Sequence, residues 1–131
     1  MIRERYREGG GFEEAAAYSR AVRHGSHVLV SGTAAREPNA APFAGNAYEQ
    51  AREAIRRALA GAEKLGARPE DVARTRMLLA PDCDWEGAVR AHREAFEGIE
   101  PANTTYFVGG FIPSGVLVEI ELDALLDSPP R

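Results

Sequence analysis

The sequence predicts an α+β domain, one mixed sheet with two helices on a single face. Three observations lead there. Period-two segments rich in β-branched residues stand at several places along the chain, as in His27–Thr33 (HVLVSGT) and Leu117–Glu121 (LVEIE). Two segments of helical period lie between the strands, beginning after Asn46 and Asp84. The 131 residues suit one domain and bury enough surface to need neither disulfide nor metal. Residues 1–131 are therefore read as a single domain, with Asp127–Arg131 (DSPPR) as a fraying tail.

Ile2–Arg7 alternates weakly and fits an edge strand. Gly9–Gly11 reads as a flexible entry to a hairpin, whose strands Tyr18–Arg23 and His27–Thr33 flank Gly25-Ser26. Asn46 can cap a helix on which Ala47, Ala51, Ala54, Ile55, Ala58, Leu59, Ala62 and Leu65 form one stripe. Gly66 sits where a terminating glycine belongs. Glu53 and Arg57 have the spacing of a surface ion pair. A turn at Pro69–Asp71 precedes a strand, Val72–Ala80. Asp84 caps a second helix with Trp85, Val89, His92 and Phe96 on its stripe. Asn103–Phe111 and Val116–Leu125 complete the set as strands joined by a turn around Pro113–Gly115, which predicts a hairpin. With both helices on one face, the other sheet face lacks a cover, and Leu117 is expected on it. That predicts self-association in a closed ring.

Composition narrows the function. The net charge of -4 argues against a nucleic-acid partner, which needs clustered positive charge. Cys83 is the only cysteine, so no internal disulfide forms. No apolar run approaches the roughly 20 residues that cross a bilayer, and no apolar core follows the basic residues of the N-terminus. The expectation is a cytoplasmic protein with no membrane partner.

Few side chains suggest chemistry. Glu119 and Glu121 interrupt an apolar strand and point away from Val118 and Ile120. They are either a solvated face or carboxylates whose pKa rises at a partly buried seam, fit for general acid–base work. Tyr18 is either a packing aromatic or a phenol for a polar ligand, and Arg20 shares its face. Asn103, Thr104 and Thr105 open a strand and either satisfy the backbone of the preceding turn or form a polar wall facing Glu119 on a neighbouring strand. His24 and His27 make a poor metal site, His92 fits a satisfied histidine on the helix stripe, and Cys83 fits a structural thiol. No metal and no cofactor is expected.

Taken in order, Tyr18–Val22, His27–Thr33, the helix from Tyr48 to Gly66, Asp71–Thr75, Pro101-Ala102 and Leu117–Glu121 resemble the Rid/YjgF family, the reactive-intermediate deaminases also known as L-PSP endoribonucleases. The resemblance implies a chorismate-mutase-like fold and a homotrimer around a central barrel, with ligand clefts between subunits. It also implies hydrolysis of imines or enamines of small 2-amino acids to 2-keto acids and ammonia, without cofactor. Carried over to this chain, the resemblance makes Glu119 the catalytic carboxylate that positions water. Tyr18 and the Gly32 backbone line the substrate pocket. The family's carboxylate-binding arginine does not carry over. Its pattern Pro-Ala-Arg-Ser reads Pro101-Ala102-Asn103-Thr104 here, and Thr105 replaces a frequent cysteine. Asn is neutral and cannot pair bidentately with a carboxylate. Asn103 and Thr105 are then expected to contact substrate as hydrogen-bonding groups, in an arginine-lacking branch. The sequence leaves two functions open: a C=N hydrolase with an altered substrate, or a non-catalytic metabolite-binding or scaffold trimer.

Overall fold

The computed structural model describes residues 3–127. Ile2 and residues 128–131 of the expected tail lie outside the described residues. The chain runs β1 (Arg3–Tyr6), α1 (Gly11–Ala16), β2 (Ala21–His24), β3 (His27–Thr33), α2 (Ala47–Lys64), β4 (Val72–Leu79), α3 (Trp85–Phe96), β5 (Ala102–Phe107) and β6 (Val118–Leu125). The six strands form one mixed sheet in the order β1-β2-β3-β6-β4-β5. All neighbours pair antiparallel except β4 and β5, which are parallel.

The expected β5–β6 hairpin does not form. Helix α3 carries the chain across the sheet, so β5 returns parallel to β4 at the edge, as a crossover connection permits. Strand β6 then enters between β3 and β4, so both its edges are paired and its apolar face joins the core with α2. A second departure is α1. Its six residues begin at Gly11, the last of the glycines read as flexible. The Glu13 carboxylate folds back to accept the N–H groups of Glu8 at 3.0 Å, Gly9 at 2.7 Å and Gly10 at 3.1 Å. Those bonds satisfy the backbone donors of the turn that leads into the helix, the Gly10 cap included.

Helix α2 follows its sequence signals. Asn46 Oδ1 accepts the Glu49 N–H at 3.0 Å. Gly66 lies at φ +96°, a conformation costly for other residues, and the Ala67 N–H reaches the Ala62 carbonyl while the Gly66 N–H reaches Glu63. Its alanines pack against Val28, Val30, Met77, Ile120 and Leu122 in one core between helix and sheet. Leu117, expected on the open face, packs against this core too.

Helix α3 buries Gly87, Ala88, Ala91 and Phe96, while Trp85 and Val89 are exposed. The expected stripe is thus rotated. The small residues turn toward α2, letting the helices approach closely; Gly87 lies against Tyr48. The opposite sheet face is uncovered in the protomer, with Leu29, Tyr106 and Leu125 exposed. Among the described residues, no helix is long and apolar enough to cross a membrane.

Candidate functional site

Glu119, the second residue of β6, projects onto the uncovered face, because Val118 and Ile120 point into the core. Beside it, β3 carries a bulge: Val30 pairs with Leu122 and Thr33 with Ile120, so Ser31 and Gly32 together oppose Glu121. Bulges re-aim side chains and recur next to functional sites. Here the extra residue brings the Gly32 backbone against Glu119. A Cβ at position 32 would stand 2.7 Å from Glu119 Oε1. The backbone of Gly32 is ordinary in φ, so the glycine serves close approach rather than an unusual conformation.

Glu119, Gly32 and Tyr18 line one open cavity of about 540 Å³ together with Phe12, Val116 and the loop Gly110–Pro113. Tyr18 is half-buried, with the Arg20 guanidinium 5.8 Å from its ring centroid. Burial raises the Glu119 pKa; Arg20 opposes that rise, and Glu121 adds to it. Glu121 behaves differently from its neighbour: Arg76 holds it at 3.5 Å and also approaches Asp123 at 3.7 Å. Glu119 is the carboxylate on this strand that faces the cavity.

The other two expected site residues are elsewhere in the protomer. Asn103 and Thr105 lie on β5, separated from β6 by β4, so they do not face Glu119 from a neighbouring strand. Their side chains lie on the helix-bearing side of the sheet. Thr105 Oγ1 donates to Asn103 Oδ1 at 2.9 Å, Asn103 Nδ2 donates to Thr75 Oγ1 at 3.0 Å, and Thr75 meets His92 Nε2 at 2.7 Å. His92 is thereby satisfied, and burial holds its pKa below the usual imidazole value. Burial raises the Cys83 thiol, with Asp84 adding to the rise, which keeps it protonated and a poor nucleophile. Among the described residues no three histidine, cysteine or acidic side chains come together as metal ligands.

Two groups escaped the sequence reading. Gln50 sits on the α2 stripe and is fully buried. Its Nε2 donates to the carbonyls of Phe43 and Gly115, each at 3.0 Å, and its Oε1 accepts the Leu117 N–H at 2.8 Å. One side chain thus ties the loop after β3 to the turn before β6, and both border the cavity. The second is Glu8, whose carboxylate meets Arg57 at 2.7 Å, Arg20 at 3.1 Å and Arg36 at 3.4 Å. Arg57 therefore does not pair with Glu53, which takes Arg56 at 2.7 Å instead. Arg20 further donates to the Gly32 carbonyl at 2.6 Å and to Thr33 at 3.0 Å, and Arg57 donates to the Ala34 carbonyl. These bonds tie the bulge to the N-terminal segment.

Fold and cleft define a small α+β protein with a carboxylate-bearing cavity on its sheet. The Endoribonuclease L-PSP family matches residues 11–126, and the chain belongs to that family, the Rid/YjgF family of the sequence resemblance. An uncharacterized protein of Streptomyces coelicolor, SCO2049, is 38% identical over 120 residues, covering 92% of this chain and 90% of that protein. The crystal structure of Rv2704 from Mycobacterium tuberculosis, described as a member of the YjgF/YER057c/UK114 family, is 35% identical with a TM-score of 0.86, covering 95% of this chain and all of that one. The YjgF gene product of E. coli shares the fold at 22% identity and a TM-score of 0.72, covering 82% of this chain and 87% of that one.

Proposed function

We propose that the protein is a Rid-like hydrolase acting on a C=N bond of a small metabolite in the cleft beneath Glu119. One observation carries the reading most: a glycine at a sheet bulge makes room for a half-buried, pKa-raised carboxylate facing a ligand-sized cavity. Glu119 holds a water and takes its proton as the oxygen adds to the imine carbon. The same proton passes to the nitrogen to give a carbinolamine; Glu119 then carries the hydroxyl proton to that nitrogen, the C–N bond breaks, and ammonia leaves as the carbonyl forms. The Tyr18 hydroxyl and the Gly32 backbone orient the ligand.

The working assembly is a homotrimer whose subunits cover the open sheet faces. Asn103 and Thr105 then reach a cleft only from the adjoining copy, because in their own protomer they lie beyond β4 on the other side of the sheet. Enzymatically generated 2-iminobutyrate tests the reading. Keto-acid release above the buffer rate, lost in Glu119→Gln, is expected; a wild-type rate equal to buffer contradicts it. The neutral Asn103 favours one rival, a trimer that binds a metabolite without turning it over. Ligand-induced stabilisation with no turnover of any C=N substrate would establish that rival.

A further inference from the structure

We propose that Arg36, backed by Arg20 and Arg57, grips the anionic group of the ligand in the Glu119 cleft, supplying from within the protomer the positive charge that Asn103 lacks. The inference rests on reading that cleft as the ligand site. All three arginines line the same cavity as Tyr18, Gly32 and Glu119. Among the described residues all three pair with one carboxylate, that of Glu8, while Arg20 also faces Glu13 and Glu119, so the spare donor capacity lies with Arg36.

The three are not equivalent. Arg20 is buried and Arg57 partly so, and both are committed, to Glu8 and to the carbonyls of Gly32 and Ala34. Arg36 is different: its side chain is 64% exposed, and its contact with Glu8 is a long one at 3.4 Å. Its planar fork of donors is the one with capacity left for a carboxylate or another planar anion. Placement supports the same role. Arg36 follows the buried Ala35 at the start of the loop that Gln50 anchors through Phe43, so its backbone is held while its head reaches the cavity. The cleft thus carries both cationic groups, the arginines, and an acid–base group, Glu119. A small 2-keto or 2-imino acid has the matching pair of groups.

The test is calorimetric titration of 2-oxobutanoate and of neutral 2-oxobutanamide into the full chain and its Arg36→Gln and Arg36→Lys variants, alongside turnover of 2-iminobutyrate. Loss of a charge-assisted contact should weaken 2-oxobutanoate binding about tenfold to a hundredfold in Arg36→Gln. Arg36→Lys should recover part of it, and the amide should bind all three proteins alike. The variants should melt with the wild type, since the side chain is exposed. Failure of the wild type to bind 2-oxobutanoate, or equal binding by Arg36→Gln, overturns the proposal. Turnover with a KM unchanged in Arg36→Gln removes the grip and leaves the hydrolase standing. Arg36-dependent anion binding without turnover does the reverse.

Discussion

Gly32→Ala is the smallest change that separates the fold from the site. The added methyl would stand 2.7 Å from Glu119 Oε1, about 0.7 Å short of the 3.4 Å at which ordinary contact begins. The next nearest atom is the Glu119 carboxyl carbon at 3.9 Å, so only the end of one side chain must yield. The backbone at position 32 has no positive φ and tolerates alanine. The melting temperature should therefore move by only a few degrees, while the carboxylate is displaced by most of an ångström. Misplacement on that scale costs a catalytic group about 100-fold. The assay is keto-acid release from 2-iminobutyrate, with circular dichroism as the check on folding. A folded Gly32→Ala protein with wild-type kcat/KM would refute the claim that the bulge positions Glu119 for chemistry.

Other perturbations reach the supports of the site. Gln50→Leu strands two carbonyls and one N–H in the interior and should cost about 3 kcal/mol, read as a lower urea midpoint. Glu8→Ala leaves the buried Arg20 and the partly buried Arg57 without their counter-charge and should also cost about 3 kcal/mol by the same measurement. Burial opposes ionisation of Glu13, but the N–H bonds from Glu8, Gly10 and Gly9, with help from Arg20, outweigh it and lower its pKa. Its contribution to stability is thus present above the ordinary glutamate pKa and lost as pH falls through the lowered one, and Glu13→Gln should flatten that acid limb of the stability profile. Glu119 has the opposite sign: its raised pKa favours the folded state most at low pH, and that contribution fades as pH rises through the raised value. Activity should climb over that same interval as the base ionises, and the limb should vanish in Glu119→Gln.

Local signals made α2 and the β2–β3 hairpin legible. Asn46, Gly66 and the alanine stripe act within a few residues, as does the Gly25 turn at φ +65°. The position of Glu119 was legible for the same reason, since alternation along one strand fixes its face. Strand neighbours were not, because a period-two pattern marks β5 and β6 as strands without saying that β6 lies between β3 and β4. The α3 face was misread because large side chains were taken to mark the core, whereas Ala88 and Ala91 allow the close packing. Glu8 drew Arg57 away from Glu53 across 49 positions, a partnership that no local spacing encodes. Gln50 did leave a signal: it stands between Ala47, Ala51 and Ala54 on the apolar stripe, where a buried amide must find partners.

The central claim is that Glu119, Tyr18, Gly32 and the arginine trio share one ligand cleft. Carboxyl-carbon NMR of Glu119 during titration with 2-oxobutanoate tests it most directly. The account predicts a resonance that titrates above the ordinary glutamate range and shifts saturably with ligand. An ordinary Glu119 pKa, with no response while 2-oxobutanoate binds elsewhere on the protein, would contradict it.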